Sequence, residues 1–185
     1  MSRAHQALAW VAAIAIVVVA CAVKGITPPD DAGEEPFAVV VAVGERGVGR
    51  NIDVTVTDVR LARTVSTPRG WNATGRWLVV DVDAAAVTVQ NATLLNGVTL
   101  ETAGLTFSAS NRPDSFRGAS LYPGLARHGS VAFELPGDLE LGAAVLAFSV
   151  NADARSDSQI RVSIDLSEVR EEAAVELSET GWARS

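Results

Sequence analysis

The chain has 185 residues, of which 48% are hydrophobic and 20% are charged. Beyond residue 23 it carries all 22 acidic residues and all of the 15 basic residues except Arg3, so that this part has a formal charge of −8. Such a charge argues against binding to nucleic acid and against electrostatic docking on anionic lipid. The length leaves room for one domain of ordinary size once the N-terminal segments are set aside.

Residues 7–23 form an apolar run without a charged side chain. As a helix this run spans roughly 26 Å, slightly less than a hydrocarbon core of about 30 Å, and Lys24 can extend to the headgroups. Apolar residues occupy every helical phase, which leaves no polar face for a water-exposed amphipathic helix. The run therefore predicts a single transmembrane helix that acts as a signal anchor and follows a cytoplasmic N-terminus at residues 1–6.

Two other processing outcomes stay open for the same run. Residues 20–22, Ala-Cys-Ala, have the small side chains of a signal-peptide cleavage site, which would release the domain. Residues 18–21, Val-Val-Ala-Cys, resemble a lipobox, in which case Cys21 would be lipidated and become the first residue. Cys21 is the only cysteine of the chain. The domain that follows therefore has neither a disulfide nor thiol chemistry.

The orientation of the run depends on few charges, since one basic side chain lies on each side of it, Arg3 before and Lys24 after. The free amino terminus then favours an N-terminus inside the cell. Residues 24–36 are rich in proline, glycine and acidic residues, and this composition is typical of an extended linker. We expect a single-pass protein of the cell membrane whose C-terminal domain is extracytoplasmic.

From residue 37 the pattern changes to short runs of Val, Thr and Ile between Gly, Pro and Asn clusters, which predicts β-strands and turns. Residues 37–43 form a continuous apolar strand. In residues 51–62 the apolar side chains occupy even positions up to Val56 and odd positions from Val59 onward. This change of parity predicts a β-bulge near Thr57 and Asp58.

The strand in residues 76–89 alternates in the same way. We expect its even positions, from Leu78 to Ala84, to face the core, and its odd positions to reach solvent at Asp81 and Asp83. Further strands are predicted in residues 97–110 as a hairpin around Thr102-Ala103-Gly104, and in residues 130–135, 143–150 and 159–166. Residues 111–129 are expected to be a long irregular connection.

Seven or eight short strands without an amphipathic helix between them predict an all-β fold, an antiparallel immunoglobulin-like β-sandwich that spans residues 37–166. A parallel α/β sheet is excluded because no connection has the length and periodicity of a crossover helix. The C-terminal tail, residues 167–185, fits a short helix and a final edge strand equally well.

Four stretches resemble a known family: GRNIDVTVTDVRLA (49–62), GRWLVVDVDAAAV (75–87), GLTFSAS (104–110) and LYPGLARHGSVAFELP (121–136). They are similar to Gram-positive (actinobacterial) cell-envelope domains of unknown function. In that group a W-x-V-V-D-V strand pairs with a later strand that follows a Pro-Gly. The resemblance implies an immunoglobulin-like β-sandwich with the fold of a secreted mycobacterial immunoprotective antigen. It implies no binding residues, and Ala84-Ala85-Ala86 departs from the polar residues usual there.

The inventory of reactive side chains predicts no catalytic residue, no metal site and no cofactor. His128 is the only histidine after the apolar run, and no G-x-S-x-G turn accompanies it. Asn151, Asp153 and Asp157 could offer oxygen ligands to Ca²⁺, but their loop lacks the glycine and terminal glutamate of an EF-hand. An acid–base pair of Asp81 with Asp83 is a weaker interpretation than a solvated strand face.

The tryptophans point to a contact surface instead. Trp71 lies in a predicted loop beside Arg69 and Arg76, and an exposed Trp–Arg group is typical of contact patches. The alternative, which we favour, is that Trp71 folds over the end of the sandwich. Trp77 is a candidate core residue in either case.

Together these patterns predict a membrane-tethered, non-enzymatic module that binds a protein or a cell-envelope component. One alternative is an accessory subunit of a membrane complex, for example in transport or secretion, because the many alanines of residues 7–23 allow close packing on partner helices. A lipoprotein acylated at Cys21 is another alternative. A hydrolase with an unrecognised site is the third.

Overall fold

The structure is a computed structural model that describes residue 5 and residues 37–88, 93–151 and 158–183. The predicted membrane helix, with Cys21, and the predicted linker lie outside the described residues, so both stay predictions. Among the residues that are described, no helix has the length and apolar character needed to cross a bilayer. Residues 36–185 form one compact unit.

From residue 37 onward, every regular element of the described residues is a β-strand. In chain order the strands are β1 (Phe37–Val41), β2 (Arg46–Val48), β3 (Ile52–Ser66), β4 (Asn72–Ala86), β5 (Thr93–Leu94), β6 (Gly97–Thr102), β7 (Leu105–Ser108), β8 (Ser120–Leu121), β9 (Arg127–Leu135), β10 (Ala143–Ser149), β11 (Ser158–Asp165), β12 (Glu171–Glu172), β13 (Val175–Glu176) and β14 (Gly181–Trp182).

These strands form two large sheets and one small pair. The five-stranded sheet has the order β1-β11-β10-β6-β7, and the seven-stranded sheet has β12-β3-β4-β9-β14, with β2 and β13 also on β3. The long strands pair antiparallel as predicted, but β1 is parallel to β11, and β12 and β13 are parallel to β3. Those three pairings join segments that long connections separate, so no hairpin dictates an antiparallel direction.

The main core lies between the two large sheets. Leu78, Val80 and Val82 of β4 are fully buried there and share one cluster with Leu146 of β10 and Ile160 of β11. The prediction that the even positions of β4 face the core is therefore confirmed. Each of these side chains contributes about 1.5–3 kcal/mol to folding by leaving water.

The predicted bulge and the predicted hairpin are both present. The register of β3 against β4 shifts between Val56 and Asp58, so that Thr57 has no partner on β4. β6 and β7 pair across a two-residue turn in which Ala103 and Gly104 both have a positive φ, of 50° and 73°. Positive φ at both central residues is the geometry of a type I′ turn, which matches the twist of a hairpin.

The outer face of β4 is covered, so the expectation that Asp81 reaches solvent is wrong. Asp81 is only 9% exposed, and Val79 and the candidate core residue Trp77 are fully buried. These side chains point away from the main core, because they alternate with residues that face it. Trp77 and Val79 belong to a second, smaller core, to which the tail contributes Val175 and Leu177. The remaining members of the second core are Ala62, Val65, Ala73 and Ala132, with Trp71 packed against them.

Over its described residues, 167–183, the tail forms neither a helix nor a single edge strand. It follows the β3 edge of the seven-stranded sheet as β12 and β13, and it reaches the opposite edge as β14 on β9. Between these points, the backbone N–H of Leu177 donates to the carbonyl of Ser66 at 2.8 Å. The N–H of Ser178 then donates to the hydroxyl of Ser130, also at 2.8 Å. The tail is thus fixed to both edges of the sheet.

The predicted irregular connection, residues 111–129, contains the short strand β8 and the start of β9, and the rest of it is irregular but packed. Phe116 is fully buried in the main core, and its N–H donates to the carbonyl of Ser130 at 2.8 Å. The ring lies against Gly129, where a Cβ would come within 2.7 Å of Phe116 Cδ2. The absence of a side chain at residue 129 therefore lets this connection reach the sandwich.

Candidate functional site

Asp83 and His128 face each other across β4 and β9, where they form a register pair. Both lie on the outer face of the seven-stranded sheet, since Asp83 alternates with the core residues Val82 and Ala84. His128 Nδ1 lies 2.7 Å from Asp83 Oδ1, and each side chain is about one-third exposed. A carboxylate only accepts hydrogen bonds, so Nδ1 carries the proton, and in the neutral ring Nε2 is left as an acceptor.

This pair forms part of the wall of a cleft of about 490 Å³ between the sheet and the end of the tail. The lining residues are Thr57, Asp83, His128, Ser178, Glu179, Gly181 and Trp182. Thr57 is the bulge residue of β3, and bulges commonly redirect a side chain beside a functional surface. The tail contributes the other wall, so the cleft exists only because the tail crosses to β9.

Asp81 has a structural role beside the cleft. Its carboxylate accepts hydrogen bonds from Arg60 and from the hydroxyl of Ser130. Ser130 is fully buried and holds the tail through Ser178. Asp81 therefore has different partners from Asp83, and the two carboxylates do not form the acid–base pair that we considered from the sequence.

An aromatic pair forms the rim of the cleft. The rings of Tyr122 and Trp182 lie 5.8 Å apart between centroids and are tilted by 48°. Trp182 is 61% exposed and Tyr122 is 46% exposed. Leu125, which follows Tyr122 closely in the chain, is 58% exposed. Trp182 is held by the pairing of β14 with β9, in which it lies opposite Arg127.

Arg127 covers part of the rim. Its guanidinium carbon lies 5.7 Å from the centroid of the Trp182 ring, within the range of a cation–π contact. Its Nη1 donates to the carbonyl of Ser120 at 2.9 Å, which fixes the guanidinium in place. The exposed tryptophan thus already binds one cation within the molecule.

The charge of the cleft comes from Asp83 and Glu179. Glu179 is exposed and forms no ion pair or side-chain hydrogen bond with any residue that the structure describes. None of the described residues that line the cleft is a lysine or an arginine. The cleft therefore presents carboxylate oxygens, and His128 is the one basic side chain among the described residues of its wall.

A second depression of about 470 Å³ continues from Asp83 along the same face of the sheet. Arg46 and Asp53 lie in its wall, and Arg46 Nε donates to Asp53 Oδ2 at 2.7 Å. This hydrogen bond, followed by the Coulomb attraction to Asp53, raises the pKa of the Arg46 guanidinium. The pair neutralises its own charge, so Asp53 adds no free carboxylate beside the cleft.

The three residues of the predicted contact patch have separate partners. Trp71 packs edge-to-face on Trp77, with centroids 6.0 Å apart, so it folds over the second core as in the alternative interpretation. Arg76 Nη1 donates to the carbonyls of residues 137 and 139, at 3.2 and 2.8 Å. Arg69 lies 3.0 Å from Asp114 in an exposed ion pair. A patch at these residues stays a prediction.

The remaining candidates add no site. Asp153 and Asp157 lie outside the described residues, and so does Cys21. Within the described ranges, no group of three or more His, Cys, Asp and Glu side chains could hold a metal ion. His128 lies within the predicted irregular connection, but the structure places it at the start of β9 and pairs it with Asp83.

Two packed sheets that enclose one main core define the chain as a β-sandwich protein. Known protein families give no match to the chain, and a comparison with curated proteins gives none either. Among solved structures, the chain is similar to an uncharacterized β-sandwich protein from Clostridium difficile 630, with 13% sequence identity and a TM-score of 0.47. The alignment covers 75% of this chain and 99% of that one.

Proposed function

We propose that this chain is a membrane-tethered, extracytoplasmic β-sandwich module that binds a protein or a cell-envelope component and has no enzymatic activity. The tether would be the apolar run of residues 7–23, either as a transmembrane anchor or replaced by lipid on Cys21. Residues 24–36 would then separate the domain from the bilayer.

An immunoglobulin-like topology is part of this proposal. The neighbours β6, β10 and β11 follow the order of the C, F and G strands of that fold, and β3, β4 and β9 follow A, B and E. The resemblance to Gram-positive cell-envelope domains favours the same topology and an envelope location.

The observation that carries the proposal is the exposed rim formed by Tyr122 and Trp182. Tyrosine and tryptophan are enriched where proteins bind partners, because they bury much area and lose little conformational entropy. Leu125 adds an exposed apolar side chain in the same connection as Tyr122. Exposed aromatic groups beside a cleft mark the surface on which we expect contact.

In-cell crosslinking tests this surface. A photoreactive amino acid at Leu125 should give a discrete covalent adduct on irradiation, in cells that express the chain naturally. Leu105 is the matched control, since it is a leucine with 51% exposure on the other sheet. Adducts of the same pattern from both positions, or none from Leu125, would refute a binding surface at the rim.

A reporter fusion tests the tether. An extracytoplasmic reporter enzyme placed after Ser185 should be active in intact cells. Activity of a cytoplasmic reporter at the same position would reverse the orientation. The mass of the mature protein distinguishes the two tethers, because an anchored chain begins at residue 1 or 2 and a lipoprotein begins at diacylated Cys21.

A second candidate function, hydrolysis, is favoured by one observation. The hydrogen bond from His128 to Asp83 orients an imidazole in a cleft that Ser178 also lines, which resembles part of a nucleophile–base arrangement. Hydrolysis of generic ester, peptide or glycoside substrates that disappears in His128→Ala would establish this function. We expect no such activity in the unmodified chain or in His128→Ala.

A further inference from the structure

We propose that the partner of the rim is a protein that inserts a basic side chain, lysine or arginine, between the Trp182 ring and the carboxylates of Glu179 and Asp83. This inference rests on the proposed function, because it requires that the rim bind a partner. It adds the chemistry by which that partner is recognised.

The carboxylates of the cleft provide the first argument. Glu179 has no cationic partner among the described residues, and Asp83 uses Oδ1 for His128, which leaves Oδ2 available. On the same domain, Glu134 and Glu101 each pair with an arginine. A cation brought by a partner would complete the same kind of pair here.

The aromatic ring provides the second argument. The face of a tryptophan attracts a cation through its quadrupole, and Arg127 shows that this ring accommodates one. Trp182 remains 61% exposed with Arg127 in place, so an incoming ammonium or guanidinium group can reach it. Trp182 and Glu179 line the same cleft, so one cation can approach both.

The charge of the whole domain provides the third argument. The part of the chain beyond residue 23 has a formal charge of −8, which attracts a basic segment and accelerates its encounter. A neutral glycan could also stack on the rim, but it would leave the charge of Glu179 and Asp83 uncompensated. The carboxylates therefore favour a basic protein segment over a glycan.

The test uses the full chain in a non-ionic detergent and a fluorescein-labelled ten-residue Gly-Ser peptide that contains three lysines. Fluorescence anisotropy should show binding that weakens as NaCl rises from 20 to 150 mM, because salt screens exposed charges. The same peptide with glutamine in place of lysine should bind at least about tenfold more weakly.

Two variants show whether the cleft is the site that binds the lysine peptide. Glu179→Gln should weaken binding of the lysine peptide by about three- to tenfold, because it removes a carboxylate beside the ring. Glu176→Gln is the matched control: it removes the same charge from the same tail, at an exposed side chain outside the cleft. Equal effects of the two variants would indicate general attraction to an acidic protein and would overturn the inference.

The outcome for Trp182→Ala separates this inference from the proposed function. Loss of lysine-peptide binding in this variant supports both the basic partner and the binding surface at the rim. If chitotetraose, a neutral glycan, binds in a Trp182-dependent manner and the lysine peptide does not, the basic partner is refuted and the binding surface stands. If neither probe binds and Leu125 gives no crosslink in cells, both are refuted.

Discussion

The hydroxyl of Ser130 donates a hydrogen bond to the carboxylate of Asp81, its register partner across β4 and β9. The same hydroxyl accepts the N–H of Ser178. One fully buried side chain therefore links the sheet to the tail that forms a wall of the cleft. The cleft depends on this link, although Ser130 does not line it.

Replacement of Ser130 tests the link. Ser130→Ala leaves the Ser178 N–H without its acceptor and removes one donor from Asp81, so we expect a loss of about 1–3 kcal/mol in the free energy of unfolding. Hydrogen exchange of residues 175–182 should accelerate more than exchange in β10. Ser108→Ala, at an exposed serine of β7, should change neither quantity. Uniform acceleration across the domain would show that the hydroxyl does not fix the tail locally.

The second core should contribute as strongly as the main core. Leu177 is 2% exposed, and truncation of a buried leucine removes its transfer free energy and leaves a cavity. Leu177→Ala should therefore lower the free energy of unfolding in urea by about 2–5 kcal/mol. Leu125→Ala removes the same atoms from an exposed position and should cost less than about 0.5 kcal/mol. Similar values for the two variants would mean that the tail is not packed on the sheet.

Local sequence patterns were sufficient to predict the features that depend on residues one or two positions apart. The change of parity after Val56 located the bulge, and Gly104 located the hairpin turn. The even face of β4 followed from its two-residue period. Each of these features depends on strand geometry alone, so no knowledge of the tertiary structure was needed.

Prediction of the covered outer face of β4 needed more information than the periodicity of the sequence. Trp77 and Val79 are apolar residues on the same face of β4 as Asp81 and Asp83, and this was the available signal that something covers that face. The covering segment could not be identified, because two-residue strands such as β12 and β13 are too short to show a period. Their pairing is set by packing on β3 instead.

The candidate site was the least predictable part. Asp83 and His128 meet because β4 and β9 pair in one register, although they are 45 positions apart in the chain. Trp182 is exposed because β14 ends the sheet beside Arg127. Sequence spacing carries no information on either contact, which is why the predicted patch at Trp71 was placed on a tryptophan that the second core partly covers.

The contact between Gly129 and Phe116 should limit substitution. A Cβ at residue 129 would lie 2.7–2.9 Å from three atoms of Phe116, and two of these belong to a ring inside the core. Gly129→Ala should cost about 1–3 kcal/mol by overpacking. In a double-mutant cycle with Phe116→Ala, much of this cost should vanish, since the clashing ring is gone. Additive costs would show that the alanine is unfavourable for another reason.

The type I′ turn offers a stabilising substitution. Ala103 has a φ of 50°, a left-handed conformation that is unfavourable for alanine and that asparagine tolerates well. Ala103→Asn creates the Asn-Gly sequence preferred in such turns and should raise the free energy of unfolding by about 0.5–1 kcal/mol. Ala38→Asn, in exposed β1, should bring no gain. A loss of stability in Ala103→Asn would contradict the turn geometry.

Asp165 should contribute a local acid dependence. The Ser167 hydroxyl donates to its carboxylate at 2.6 Å and the Ser167 N–H at 2.9 Å, and these bonds lower the pKa of Asp165 from its ordinary value of 3.8. Because the folded-state pKa is the lower one, the stabilisation is present above pH 3.8 and is lost as the pH falls through the pKa of the folded state. NMR titration should give a higher pKa for Asp165 in Ser167→Ala than in the unmodified chain. An unchanged pKa would show that the serine hydroxyl does not hold the carboxylate in solution.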